Sequence, residues 1–223
     1  MTKKRKVLIT GGARGIGAAI SHELAQHGFE IMAPSRSELD LSKPASVEKF
    51  LHASPLRVDV LVNNAGINVL KNLAELDGAT WNEMLQVNLS APLRLVQAVT
   101  PFMRQQKWGR ILNISSIFSL VTKENRAAYS MTKAGLNALT RSAAVELGPD
   151  GILVNALCPG YVDTELTRKN NSPAELEKIE ASIPLRRMAK PEELARTAAF
   201  LCSEENSYLT GQMVVVDGGF TCK

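Results

Sequence analysis

The 223-residue chain has no apolar run approaching ~18 residues, the length a helix needs to span a bilayer. Its N-terminal TKKRK is followed by only three apolar residues, VLI, before Gly11 and Gly12, which is too short for the core of a secretion signal. These features lead us to expect a soluble, cytoplasmic protein without a membrane partner. Cysteine is scarce: Cys158, Cys202 and Cys222 stand at wide spacing with no CxxC pair, which excludes a disulfide framework and a zinc site. His22, His27 and His52 follow no ligand spacing and are expected at the surface or at helix ends, so no metal is expected. Aromatics make up 5% of the chain, and net charge is only +4, from 26 basic and 22 acidic residues. The one basic cluster (Lys3, Lys4, Arg5, Lys6) recurs nowhere and has no aromatic platform beside it. We therefore read it as a solvated leader, not a nucleic-acid arm. Repeats, low-complexity segments and linkers are also missing, so a single domain over 1–223 is expected.

An ordinary core is available, with 45% apolar and 22% charged residues. Strands are expected at Val7–Thr10, Glu30–Ala33, Val58–Asn63, Arg110–Ser115, Leu153–Leu157 and Met213–Val216. Several are continuously apolar, as strands buried on both faces of a parallel sheet are. Helical patterns alternate with them. Thr80 and Glu83 have the spacing of a capping box, opening a helix that runs past Phe102. Ala127–Leu147 is the longest pattern, closed by Gly148–Pro149. Ser172-Pro173-x-Glu175 opens a shorter helix, and Pro191–Ser203 follows. This rhythm predicts an α/β, Rossmann-type doubly wound parallel sheet with helices on both faces. Tyr161–Ala189 has no strand candidate and is expected as a lid over the carboxyl ends of the strands, where such folds bind ligands.

The first turn of that fold reads TGGARGIG, residues 10–17. Strand, glycine-rich turn and a helix with Ile16, Ile20 and Leu24 on one face form a mononucleotide-binding unit. Such a turn lets the backbone approach a pyrophosphate at the positive helix end. The spacing G-x-x-x-G-x-G departs from the commoner G-x-G-x-x-G, and alone it is weak evidence, with a tight turn without a ligand as the alternative. Tyr129 and Lys133, four apart on a helix, share a face, and a nearby ammonium is expected to lower the phenol's pKa from ~10 and fit it for acid–base work. A YxxxK pair alone is more often a solvated helix face. Pro92 has no N–H, so the helical bond to the Asn88 carbonyl cannot form, leaving that carbonyl free at a local kink.

TG-x-x-x-G-x-G at 10–17, NNAG at 63–66, Ser116, Tyr129-x-x-x-Lys133 and Pro159–Gly160 occur in this order along the chain. Together with the ending PLRRMAKPEELARTAAFL…YLTGQMVVVDGG, they closely resemble the short-chain dehydrogenase/reductase family over essentially every residue. The resemblance is to the single-domain branch that includes 3-oxoacyl-(acyl-carrier-protein) reductases. It implies that Tyr129 is the general acid or base and that Lys133 also holds the nicotinamide ribose. Ser116, thirteen positions before the tyrosine, would donate to the substrate oxygen, and Ser115 is a strand-end residue. The Asn88 main chain would anchor a water leading protons to Lys133; the bland alternative is a kink that merely bends the helix. Gly11, Arg14, Gly15, Ile16 and Gly17 would cradle the cofactor, with Asn64, Ala65 and Gly66 beneath its adenosine side. Pro159, Gly160, Val162 and Thr164 would lie at the carboxamide.

The end of the second strand, IMAPSR, offers Ser35 and Arg36 and no carboxylate. Members using NAD(H) usually place an acid there. Arg14 and Arg36 would instead flank a 2′-phosphate, so NADP(H) is preferred over NAD(H), which stays possible. SRSELDLSK passes from Arg36 to Asp40 in four residues, too few for the family's usual helix, so the connection is shortened and the third strand brief or absent. Asp40 and Leu41 would contact adenine.

On the substrate side we expect Phe118, Val121, Tyr161, Leu166 and Met188 beside Ser116 and Tyr129. The charged run Lys123–Arg126 is read as a solvated loop, with Lys123 or Arg126 touching an anionic substrate or carrier protein as the alternative. The resulting expectation is an NADPH-dependent reductase of a small-molecule ketone, first of all a 3-oxoacyl thioester, with acyl-carrier protein as a possible partner. A dehydrogenase working oxidatively and a non-catalytic dinucleotide-binding regulator are the alternatives. The family implies a homotetramer formed through the helices at 80–106 and 127–147.

Overall fold

A computed structural model describes residues 4–53, 55–169 and 171–222, without the side chain of Leu166. Strand β1 (Lys6–Ile9) leads through the glycine turn to α1 (Gly15–Gln26), and β2 (Glu30–Met32) is followed by α2 (Pro44–Ala53) and β3 (Val60–Asn63). Then come α3 (Gly78–Leu85), a π-helical turn at Gln86–Ser90, α4 (Ala91–Gln106) and β4 (Gly109–Ile114). The chain continues with α5 (Ala127–Leu147), β5 (Ile152–Pro159), α6 (Glu165–Lys169), α7 (Pro173–Ser182), α8 (Pro191–Cys202) and β6 (Met213–Val216). The six strands are parallel and ordered β2-β1-β3-β4-β5-β6. The order reverses between β1 and β3, which opens a crevice at their carboxyl ends.

Alternation along the strands divides the core. Leu8, Leu61 and Ile111 pack with Val47 of α2, Leu95, Val99 and Met103 of α4, and Ala143, Ala144 and Leu147 of α5. Their neighbours Val7, Ile9, Val60, Val62, Leu112 and Ile114 face Ile20 and Leu24 of α1 and Leu194, Ala198 and Leu201 of α8 on the other side. Both faces of the central strands are therefore buried, which is why their sequences are apolar without a break. Among the described residues no helix is long and apolar enough to cross a membrane.

The shortened connection after β2 removes one strand: α2 returns the chain directly to β3, leaving the three-residue β2 as the sheet edge. Two readings of the termini and caps are corrected. Helix α3 starts at Gly78, not Thr80, because the Asp77 carboxylate accepts from the Thr80 N–H at 2.8 Å and so takes the N-cap. Of the basic leader, Lys3 lies outside the described residues, while Arg5 and Lys6 are structural. Arg5 stacks 3.3 Å from the Trp108 ring centroid and pairs with Glu204, and Lys6 opens β1 and pairs with Glu30. The capping box at Ser172 and Glu175 forms as expected.

Candidate active site

The glycine turn comes first. Asn64, just past β3, clamps it: its side-chain amide donates to the carbonyls of Thr10 (2.9 Å) and Gly11 (3.0 Å). The Thr10 hydroxyl accepts from the backbone N–H groups of Asn64 and Ala65. At Gly17 a β-carbon would stand 2.2 Å from the Gly11 carbonyl oxygen and 2.4 Å from Asn64 Nδ2, so only glycine closes the turn. Arg14 sits at the α1 N-cap with extended backbone and no side-chain cap, so no side chain of that residue claims the helix's first N–H groups. The turn opens into a cavity of about 380 Å³ lined by Gly11, Arg14, Gly15, Ile16, Gly17, Asn64, Ala65 and Gly66. This bare helix end, reached through a turn that only glycine closes, fits a dinucleotide pyrophosphate.

The far end of the same cavity holds the candidate chemistry: Ser116, Phe118, Tyr129, Lys133, Pro159, Gly160, Tyr161, Val162 and Thr164 all line it. Helix α5 carries Tyr129 and Lys133 one turn apart. The Lys133 ammonium is buried 5.7 Å from the Tyr129 ring centroid and donates to the Ile114 carbonyl at the end of β4 (2.7 Å). Burial pulls its pKa down to about 8. Tyr129 departs from expectation. Burial pushes the phenol up; a hydrogen bond with Ser116 and the charge of Arg126 pull the other way, and Lys133 contributes nothing resolved. The ammonium is satisfied by a backbone carbonyl, whereas desolvation falls directly on the phenolate. Ser116 accepts from the Phe118 N–H (3.1 Å), which fixes its hydroxyl. Ser115 is tied to Leu157 and to the Lys133 carbonyl, as a strand-end residue would be.

Asn88 lies inside the π-helical turn, where Ala91 reaches five residues back to the Gln86 carbonyl. Its buried side chain is fully engaged: Oδ1 accepts from the Ile67 N–H (2.9 Å), and Nδ2 donates to the Ile67 carbonyl (2.9 Å) and Thr132 Oγ1 (3.1 Å). A β-carbon at Gly66 would lie 3.2 Å from Asn88 Oδ1 and 3.4 Å from Lys133 Nζ, so the two side chains meet across that glycine.

Ser35, Arg36, Asp40 and Leu41 are outside the cavity lining. Leu41 is part of the core, and the Asp40 carboxylate is occupied by Ser42 and flanked by Arg36 (3.5 Å) and Lys43 (3.6 Å). The end of β2 is also not free of acid. Glu38 folds back and accepts from both the N–H (2.8 Å) and the hydroxyl (2.7 Å) of Ser35, which hold its carboxyl below the ordinary range. The spacing Ser35-x-x-Glu38 was the signal for it. Val121 is exposed and outside the cavity, Met188 packs with Ile179 and Ile183, and the Leu166 side chain lies outside the described residues.

Arg126 is the largest correction. Lys123, Glu124 and Asn125 are exposed as a loop should be, but Arg126, at the N-cap of α5, is only 7% exposed and lines the cavity. Its guanidinium carbon stands 5.1 Å from the Phe118 ring centroid. The three-residue spacing to Tyr129 was the available signal, since it puts both on one face of the helix start. Asn68 also lines the cavity, and its Oδ1 has no partner among the described residues.

Comparison with known proteins agrees with this geometry. The family model described as enoyl-(acyl carrier protein) reductase matches residues 35–221, and the one described as short chain dehydrogenase matches residues 5–49. A 3-oxoacyl-(acyl-carrier-protein) reductase of Aquifex aeolicus is 36% identical, with 95% of each chain covered. A solved structure provisionally named as an NAD(P)-dependent gluconate 5-dehydrogenase of Beutenbergia cavernae, with NADP bound at low occupancy, superposes with a TM-score of 0.94. It is 34% identical, covering 100% of this chain and 98% of its own. A gluconate 5-dehydrogenase of Burkholderia cenocepacia in complex with NADP and tartrate gives a TM-score of 0.92 at 31% identity, covering 98% and 96%.

Proposed function

The chain belongs to the short-chain dehydrogenase/reductase family of NAD(P)-dependent oxidoreductases, and from that premise we propose that it reduces a ketone to a secondary alcohol with NADPH. The observation that carries this reading is the convergence of Ser116, Tyr129 and Lys133 on the cavity that the glycine turn opens. Gly11, Arg14, Gly15, Ile16 and Gly17 hold the pyrophosphate, Lys133 the nicotinamide ribose, and Val162 and Thr164 the carboxamide. When bound, the nicotinamide supplies a hydride to the carbonyl carbon. Ser116 donates to the carbonyl oxygen and Tyr129 gives it a proton as the negative charge develops there. A phenol pushed up by burial is held in its protonated form, which suits a proton donor. The Asn88 main chain carries the proton path that refills Tyr129 through Lys133, supported by the broken helical ladder at Gln86–Ser90.

The preference for NADPH rests on Arg14 at the cavity and the exposed Arg36, with Glu38 opposing it. The chain forms a homotetramer through α4 and α5, whose Leu93, Met131 and Val145 are exposed apolar residues. The test is oxidation of NADPH and NADH by the purified protein, with an acetoacetyl thioester and a panel of small ketones and oxo acids. Turnover with NADPH that falls by ~10³ in Tyr129→Phe supports the reading. Cofactor binding without turnover of any carbonyl would overturn it.

A further inference from the structure

Arg126 has no use in that chemistry. Its Nε has no hydrogen-bond partner among the described residues, and the ion pairs described there do not include it. Burial works against the cation, and no carboxylate is among the groups that offset it. A buried guanidinium nitrogen without a partner is costly unless a ligand completes it. It lies on the substrate side, over the Phe118 ring, whose centroid is 6.4 Å from that of Tyr129 and 6.2 Å from that of Tyr161. Lys123, the other cation of the run, is exposed and 5.7 Å from the Tyr161 ring centroid.

Resting on the carbonyl-reductase reading above, we infer that Arg126 is the substrate's anion anchor, and that the substrate is a free oxo acid whose carboxylate takes the guanidinium fork. A planar guanidinium matches a carboxylate through two parallel N–H···O bonds. The one-turn offset between Arg126 and Tyr129 then sets which carbonyl of an oxo acid meets the phenol. A thioester offers the same site one neutral carbonyl oxygen in place of a carboxylate, leaving the cation without a counter-charge. Free acids are thus preferred over thioesters of the same skeleton.

The experiment compares kcat/KM for pentanoates carrying the oxo group at carbon two, three or four with their methyl esters, in wild type, Arg126→Gln and Arg126→Lys. The expected result is that at least one acid is favoured about 30-fold over its ester, the range of a charged hydrogen-bonded contact. That ratio collapses towards unity in Arg126→Gln and is intermediate in Arg126→Lys, which cancels any general damage to the fold. A wild-type ratio near unity, or one untouched by Arg126→Gln, overturns the inference. A binding arm separates this from the reductase reading. If nothing is turned over, that reading fails, but a rise in melting temperature with butyrate and not butyramide, lost in Arg126→Gln, still upholds the anchor. No butyrate effect would overturn the anchor too.

Discussion

Lys133 gives a prediction about stability that runs against its role. Burial draws its pKa from 10.5 to about 8, a difference of 2.5 units. At ~1.4 kcal/mol per unit, keeping the ammonium charged in the fold costs about 3 kcal/mol. Lys133→Met removes that cost and fills the same space, but it withdraws the hydrogen bond to the Ile114 carbonyl, worth about 1–2 kcal/mol. At pH 7 the variant of the cofactor-free protein is therefore expected to be more stable by about 1–2 kcal/mol. The pH dependence is the discriminating part. Below pH 8 both the native and the unfolded lysine are protonated, so wild type bears the full cost. Between about 8 and 10.5 the unfolded chain holds a proton that the native state has released, so wild-type stability rises relative to the variant by ~1.4 kcal/mol per pH unit. Urea unfolding at fixed protein concentration, at pH 7 and pH 9.5, should thus show the variant's advantage fall by about 2 kcal/mol, to nothing or below. A difference that is the same at both pH values, or a variant less stable at pH 7, would refute the claim that burial of this charge is paid by the fold.

Gly17→Ala is expected to lose NADPH binding in a fluorescence titration, because its β-carbon would stand 2.2 Å from the Gly11 carbonyl oxygen. It should also lower stability by about 1–3 kcal/mol, since neither the loop carbonyl nor the Asn64 amide can yield without breaking the clamp. Glu38→Gln removes the carboxylate beside Ser35 and should raise the NADPH-to-NADH ratio of kcat/KM about 5-fold, the size of one modest charge contact. An unchanged ratio would place Glu38 outside the reach of the adenosine ribose.

The sequence made the sheet legible because apolar runs and glycine turns are local signals. Met213–Val216 is found at its expected bounds, and the other strands shift by one or two residues at either end. The missing strand after β2 was legible too, from the three residues between Arg36 and Asp40. What periodicity could not give was the sign of an environment. Tyr129 was expected to be lowered by the lysine on its own helix face, but the Lys133 ammonium is turned to the end of β4 by a carbonyl that only tertiary structure brings there. Arg126 was read as part of a charged, solvated run with an anion contact as the alternative, and the chain enters α5 at that residue and carries it inward. On the adenine side Glu38 was overlooked, although the spacing Ser35-x-x-Glu38 carried the signal for the contact it makes.

Lys133 and Arg126 make the physical character of the cavity clear. Both are buried cations, both are pulled down by desolvation, and they flank one phenol that desolvation pushes up. The lining offers them a single carboxylate, that of the exposed Glu165, which forms no described ion pair with either. Such a site is held at a cost by the rest of the core, and an anionic ligand relieves it where a neutral one does not. The charge that destabilises the empty fold is thus the charge that selects the ligand. On this reasoning the inferred anion contact at Arg126 and the proposed proton supply through Lys133 are not independent features. They are two consequences of burying cations where the strands of the sheet end.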